Sequence, residues 1–313
     1  MRRRLRIAVW LLVLLGVPPW LQAQEPRATG SDGEGEELVL GRISDDPAAH
    51  HASLRAILDY VVPRMADLGV RRGRVLMARD LRQMASYLRR GRVDWITETS
   101  AAALLLLEQA GGQILLGARR NGVAEYRSLI VVRRDRGLTA LADLAGCSIA
   151  FQNATSTTGY YLPAAMLLDA GLGMEILLSP TDRPEPGRVG YLFARSEVNV
   201  AAWVHKRLVD AGALSDLDWN DLDRIPEPVR QDLVVLARSE LFPRGLEIVR
   251  AGLSARRVER LRAILLAAAS DPAAREPLRR FFSSDGFFVP DARQEAELRR
   301  LREVVVQVRE RLE

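Results

Sequence analysis

The sequence contains few residues that could support redox, metal or hydrolytic chemistry. Among its 313 residues Cys147 is the only cysteine, so no intramolecular disulfide can form. Its three histidines are His50, His51 and His205, and none stands in the carboxylate or cysteine spacing of a metal site. We therefore expect no metal and no cofactor. The position of Cys147 at the start of a strand favours packing as a small hydrophobe, although contact with a soft ligand stays open.

The sequence also lacks a strong excess of charge once its first residues are set aside. The formal net charge is +5 and the pI is about 9.8, but four of the arginines fall within the first six residues. Without these four, the 45 basic residues become 41, against 40 acidic ones. A balanced surface gives no general attraction for a polyanion, so we expect no nucleic-acid partner.

The first 23 residues have the three parts of a secretory signal. These parts are a basic start, an apolar run and a small-residue cleavage site: Arg2, Arg3, Arg4 and Arg6, then residues 7–17, then Leu21-Gln-Ala23. We predict that residues 1–23 are removed and that the mature protein is periplasmic. A retained membrane anchor is the alternative, but the apolar run is shorter than the roughly 20 residues of a membrane span and two prolines follow it.

Beyond a Gly-, Ser- and Glu-rich leader predicted over residues 24–37, short β-rich runs alternate with longer helical patterns. This alternation predicts an α/β fold with parallel sheets covered by helices. The predicted strands are 38–43, 74–77, 93–97, 114–117, 128–132, 148–151, 175–178, 198–204 and 233–237. The predicted helices are 50–68, 81–90, 100–109, 157–172, 254–269, 277–282 and 292–312, with a short turn at 138–144.

The strand predicted over 148–151 ends in a turn with four consecutive hydroxyl residues: Thr155, Ser156, Thr157 and Thr158, here called the hydroxyl cluster. A helical pattern begins there, so free N–H groups, the helix dipole and these hydroxyls could converge on one oxyanion. The alternative is an ordinary N-cap, for which a single Ser or Thr suffices. Ser156 lacks the glycine framing and positioned histidine of a nucleophilic serine, so we expect no enzyme activity.

Several short motifs occur in the order and spacing of one family of proteins. They are Leu38-Val-Leu-Gly-Arg-Ile-Ser44, Gly91-Arg-Val-Asp94, Glu125-Tyr-Arg-Ser-Leu-Ile-Val-Val132, Asp143-Leu-Ala-Gly146, Ser156-Thr-Thr-Gly-Tyr160, Pro163, Ser196-Glu-Val-Asn199, Ser239-Glu-Leu-Phe-Pro243 and Asp285-Gly-Phe-Phe288. In these motifs the chain resembles the phosphate/phosphite/phosphonate-type periplasmic solute-binding proteins of ABC transporters. The resemblance covers nearly all of the chain after the leader.

This resemblance implies a type II periplasmic-binding-protein fold, in which two Rossmann-like lobes are joined by two hinge crossovers and close on a ligand. Lobe 1 would comprise residues 38–130 and 237–313, lobe 2 residues 131–236, and the crossovers would lie near 128–133 and 234–239. The protein, expected to be a monomer, would capture a small oxyanion and deliver it to an ABC permease. The alternatives are a partner membrane sensor kinase or, less in keeping with the sequence, a phosphoryl or acyl hydrolase.

By position, the resemblance assigns the oxyanion contacts to Ser156, Thr157, Thr158 and Tyr126. The other ligand-binding positions expected from their neighbourhood are Thr155, Gly159, Asn199, Glu98 and Thr99. Asn199 stands where relatives usually carry an aspartate, which argues against a ligand with an amino group. Glu98 would repel a dianion unless it is protonated or paired. A histidine of the relatives has no match, and whether Arg183 or Arg188 reaches the ligand instead stays open.

Overall fold

A computed structural model describes residues 35–44 and 46–313 of the chain. The predicted signal peptide and most of the predicted leader lie outside the described residues. The first strand begins at Glu37, the last residue of the predicted leader, and the Cα of Glu37 pairs with that of Arg72. In the described part of the chain, no helix combines the length and the apolar character needed to cross a bilayer.

The described chain alternates strands with helices, as the α/β pattern predicts. The strands are β1 Glu37–Ile43, β2 Arg72–Ala78, β3 Trp95–Thr99, β4 Gln113–Arg120, β5 Glu125–Tyr126, β6 Ser128–Arg133, β7 Ser148–Phe151, β8 Met174–Ile176, β9 Val189–Phe193, β10 Ala211–Ser215, β11 Leu233–Arg238, β12 Phe242–Pro243, β13 Gly245–Val249 and β14 Ser284–Phe288. The α-helices are α1 Pro47–Val61, α2 Leu81–Arg89, α3 Ser100–Ala110, α4 Leu162–Asp169, α5 Glu197–His205, α6 Asp216–Asn220, α7 Glu227–Asp232, α8 Ala255–Ala268, α9 Arg275–Arg280 and α10 Ala292–Leu312.

These strands form two six-stranded sheets. The first sheet has the order β14-β4-β13-β3-β1-β2 and the second the order β11-β6-β10-β7-β9-β8. In the first sheet β1 runs parallel to β2 and β3, whereas β13 is antiparallel to both β3 and β4. In the second sheet β7, β8, β9 and β10 are parallel, and β6 and β11 add an antiparallel edge. The architecture is that of a type II periplasmic binding protein.

The chain passes between the sheets twice, and both passages lie together. Strand β6 begins the second sheet at Ser128 and β11 leaves it at Arg238, and these two strands pair with each other. Just before β6 and just after β11, the short strands β5 and β12 pair through Phe242 with Tyr126. The segments predicted as crossovers, near 128–133 and 234–239, therefore coincide with β6 and β11 of the second sheet, and the predicted lobe boundaries at 130/131 and 236/237 fall within these two strands. The lobe boundaries themselves stay a prediction.

Two local features differ from the sequence prediction, and both have physical reasons. The helix predicted over 50–68 is α-helical only to Val61 and continues as a 3-10 helix over Val62–Leu68, because Pro63 cannot donate a helical hydrogen bond. The strand predicted over 198–204 is wrong, since these residues lie in α5. Ser196 caps this helix, and Val200 and Val204 are buried on one side of it, so the apolar run reflects helical spacing.

The C-terminal helix α10 packs between the two halves of the molecule. Its Leu301, Val305 and Val308 are buried in a core that also contains Leu104 of α3 and Leu167 of α4. The other buried cores lie on the two faces of the first sheet and on the remaining face of the second. Helix α10, predicted as part of lobe 1, thus contacts helices beside both sheets.

Candidate functional site

A cleft of about 470 Å³ lies where residues from both sheets and from the crossover segments meet. Six of the nine predicted ligand-binding residues line it: Glu98, Thr99, Tyr126, Thr155, Ser156 and Thr158. Cavities of this size, roughly 300–1,000 Å³, are typical of small-molecule sites. The structure therefore brings most of the predicted residues together in one concave surface.

The hydroxyl cluster lies at the start of a helix that opens with one π-helical turn, Thr157–Tyr161, and continues as α4. Ser156 is the N-cap, and its Oγ accepts a hydrogen bond from the N–H of Gly159 at 2.9 Å. The N–H groups of Thr157 and Thr158 occupy the first helical positions, which have no acceptor within the helix. Ser156 therefore acts as an N-cap and also lines the cleft, so the N-cap and the oxyanion site predicted from the sequence are compatible at this residue.

Like the hydroxyl of Ser156, those of Thr155 and Thr157 have partners inside the protein. Thr155 donates its hydroxyl to Oδ1 of Asn153 at 2.9 Å. The Oγ1 of Thr157 accepts a hydrogen bond from the N–H of Ala101 at 2.9 Å, and the Thr157 side chain is fully buried. Thr157 does not line the cleft. Its side chain instead joins the start of α3, beside the first sheet, to the helix that carries the hydroxyl cluster.

Tyr126 supplies a neutral donor to the same part of the cleft. The phenol is buried, and burial raises its pKa to about 12, although hydrogen bonding to Thr157 and Thr158 opposes the rise. At neutral pH the hydroxyl therefore stays protonated and can donate to an anion.

Gly159 belongs to the support of this loop rather than to its surface. An added Cβ would lie 2.7 Å from Cβ of Gln152 and 2.8 Å from Oγ of Ser156. Gly159 also accepts a hydrogen bond from the N–H of Gln152 at 2.9 Å. The absence of a side chain thus allows the helix start to approach the end of β7 closely.

Glu98 and Thr99 line the opposite side of the cleft, at the end of β3. The Oε1 of Glu98 accepts a hydrogen bond from the N–H of Ile43 at 2.7 Å. Burial raises the pKa of Glu98, while the charge of Arg42 and the backbone N–H groups lower it. The Glu98 carboxyl is therefore hydrogen-bonded within the protein and lies near the positive charge of Arg42.

Four residues discussed from the sequence lie outside the cleft lining. Asn199 is exposed on α5 and donates its amide to the carbonyl of Ala194 at 2.8 Å. Arg183 is exposed on its loop, and Arg188 pairs with Glu175. Cys147 is half-buried, packed against the core around the second sheet. These positions do not support a direct contact between any of the four and a ligand in the cleft.

Sequence reasoning missed the basic character of the cleft. Six arginines line it: Arg42, Arg79, Arg120, Arg195, Arg224 and Arg244. Arg79 pairs with Asp80 at 3.3 Å and Arg224 with Asp218 at 2.8 Å. For the other four, no carboxylate of residues 35–44 or 46–313 lies within ion-pair distance. A signal was available, because Arg42 interrupts an otherwise apolar strand, where a charged residue is unusual without a specific reason.

No group of three or more metal-ligating side chains converges within the part of the chain that the structure describes. The donors that face the cleft are N–H groups, hydroxyls, a phenol and guanidinium groups. These groups can bind a negatively charged ligand. Ser44 and His50 also line the cleft, with 2.7 Å between Oγ of Ser44 and Nδ1 of His50.

Comparison with known proteins agrees with this chemistry. The family model of the ABC transporter, phosphonate, periplasmic substrate-binding protein matches residues 45–294. The chain belongs to this family. Its members are periplasmic substrate-binding components that work with ABC permeases and bind small ligands, and the family is not one of enzymes. Among proteins with curated functions, none matches this chain.

Solved structures include one protein with substantial sequence identity. The protein XAC2383 of Xanthomonas citri, solved with a chloride ion, is 48% identical, with a TM-score of 0.86 over 88% of this chain and 99% of that one. The same protein, solved bound to ATP, is 46% identical, with a TM-score of 0.85 over 89% and 100% of the two chains. PhnD1 of Prochlorococcus marinus, solved with methylphosphonate, is 16% identical, with a TM-score of 0.64 over 88% and 98%. This last likeness shows the fold alone.

Proposed function

We propose that the protein captures a small oxyanion of the phosphonate, phosphite or phosphate type in the cleft and delivers it to an ABC permease. The observation that carries this proposal is the convergence of anion donors in one cavity. The N–H group of Thr158, the hydroxyls of Ser156 and Thr158 and the phenol of Tyr126 lie together at a helix start. Such donors, with the helix dipole, hold an oxyanion without a metal.

The arginines of the cleft support an anionic ligand independently of the helix start. Four guanidinium groups in one cleft without carboxylate partners in the described chain repel one another, and a bound anion relieves that repulsion. In this proposal the paired strands β6 and β11, with β5 and β12, act as the hinge about which the sheets close. Asn199 takes no direct part in the proposed site.

The proposed route to the periplasm is the signal peptide of residues 1–23, after whose removal the chain works outside the inner membrane. The relatives give no support to a sensor-kinase partner or to a hydrolase, so neither is included. The proposed functional unit is one copy of the chain with one ligand.

A nucleotide is the second candidate ligand. The relative that is 46% identical was solved bound to ATP. The cleft volume of about 470 Å³ also exceeds what a single tetrahedral anion occupies, and pockets of a few hundred Å³ commonly hold drug-sized ligands. The phosphate groups of a nucleotide would use the same N–H, hydroxyl and guanidinium donors of the cleft.

A thermal-shift screen followed by calorimetry tests the proposal. Purified chain from residue 24 would be heated with phosphate, phosphite, methylphosphonate, sulfate, chloride or ATP. A ligand present at 100 times its Kd stabilises the folded state by about 2.7 kcal/mol, which raises the melting temperature measurably. We expect a shift with a phosphorus oxyanion. A shift with ATP alone selects the second candidate, and no shift with any anion contradicts an anion receptor.

A further inference from the structure

Arg42 and Arg120 form a compact pair on the first-sheet side of the cleft, here called the arginine pair. Their guanidinium carbons lie 4.6 and 4.7 Å from the ring centroid of Phe282. Arg120 is only 9% exposed, although it lines the cleft. The Nε of each arginine is buried and has no hydrogen-bond partner in the part of the chain that the structure describes. Two buried cationic donors are thus left with hydrogen-bonding capacity.

Both guanidinium groups are held in place by one residue of β3. Nη2 of Arg120 donates to Oγ1 of Thr97 at 3.0 Å, and Nη1 of Arg42 donates to the carbonyl oxygen of Thr97 at 3.3 Å. Thr97 in turn donates its hydroxyl to Glu247 at 2.8 Å. Because these bonds and the Phe282 ring restrict the side chains, the pair is preorganised, and binding an anion would cost little conformational entropy.

The nearby carboxyls do not neutralise the arginine pair directly. Among the described residues, none forms an ion pair with Arg42 or Arg120, and Glu98 and Glu247 use their oxygens on other donors. Burial raises the pKa of Glu247 to about 7, so its negative charge is incomplete at neutral pH. Burial and then the charge of Arg42 lower the pKa of Arg120 to about 10, so this group stays protonated. Positive charge therefore remains on this side of the cleft.

We propose that the arginine pair is a second anion subsite, so that the ligand carries two separate anionic groups, as a diphosphate or a phosphonocarboxylate does. The inference rests on the proposed function, because the first anionic group would bind at the hydroxyl cluster. The two groups of donors come from different sheets, and one ligand that bridges them would hold the sheets closed. Planar guanidinium groups match the paired oxygens of carboxylate and phosphate.

Calorimetry with probes of one or two anionic groups tests this subsite. Methylphosphonate carries one such group, pyrophosphate and phosphonoacetate carry two, and ADP distinguishes a nucleotide from a free diphosphate. We expect at least one two-group probe to bind at least tenfold more tightly than methylphosphonate. In Arg42→Gln and Arg120→Gln this affinity ratio should fall at least tenfold. If Arg120→Gln does not fold, Arg42→Gln carries the test, because its side chain is only half-buried.

Arg119→Gln is the matched control, because it removes the same charge from the same strand at an exposed position outside the cleft. Its affinity ratio should equal that of the wild type. An unchanged ratio in both arginine-pair variants, or an equal fall in Arg119→Gln, would overturn the subsite while leaving the proposed function standing. Binding of no probe by the wild type overturns the proposed function and the subsite together.

Discussion

Replacing Ser156 by alanine separates the two roles that this residue can have. Its Oγ accepts a hydrogen bond from the N–H of Gly159 at 2.9 Å, which is the bond of an N-cap. Loss of such a cap costs about 1 kcal/mol of folding free energy. If the hydroxyl also donates to a bound oxyanion, its removal costs about 1.5–3 kcal/mol of binding free energy as well. The second loss corresponds to a Kd increased about 10- to 150-fold.

Two assays on the same protein measure these losses separately. Urea unfolding without ligand measures the folding free energy that the cap contributes. Calorimetry with the anion found in the thermal-shift screen measures the Kd, and so the contribution of the contact with the ligand. Ser196→Ala provides the control, because Oγ of Ser196 accepts the N–H of Asn199 at 3.2 Å in the equivalent cap of α5 and lies outside the cleft lining. We expect both variants to lose similar stability and only Ser156→Ala to lose affinity.

The refuting result is a Ser156→Ala variant whose stability falls as in Ser196→Ala while its Kd equals that of the wild type. Ser156 would then be a plain cap, and the oxyanion would not bind at its hydroxyl. A fall in affinity with both variants would mean that the loss of folding stability, rather than a lost contact, reduces binding.

Two further predictions concern buried groups beside the cleft. Thr157→Val leaves the N–H of Ala101 without its acceptor, so urea unfolding should show a loss of about 1–3 kcal/mol, and unchanged stability would contradict the role of this bond between the helices. Because burial raises the pKa of Glu247 from 4.5 to about 7, the folded state holds a proton that the unfolded chain releases, and stability should fall as the pH rises through this window. Between pH 5 and 7.5, Glu247→Gln should lose less stability than the wild type in thermal unfolding. Equal losses would refute the raised pKa of Glu247 as the cause of the pH dependence.

Most of the secondary structure was predictable because its signals are local. Strand β7, Ser148–Phe151, and helix α10, Ala292–Leu312, have the predicted bounds, since apolar runs and caps mark their ends. The segment 198–204 was predicted as a strand although it is helical, because a short apolar run fits a buried strand and a buried helix equally. Its helical nature depends on the Ser196 cap and on contact with β10, neither of which a composition pattern reveals.

The predictions for the candidate site show a similar division. The hydroxyl cluster was visible because its members are consecutive in the sequence. The arginine pair was not, because Arg42 and Arg120 come from strands far apart in sequence and meet only around Thr97 and Phe282. Side chains that share a site only through sheet pairing leave no common local pattern.

The sequence by itself determined the α/β alternation, the hydroxyl-rich helix start and the family to which the chain belongs, because each depends on residues close together in order. Tertiary structure alone decided which hydroxyls face the cleft, and it turned Thr157 toward Ala101. It also decided the charge of the cleft, since burial and distance between segments determine which arginines keep a carboxylate partner.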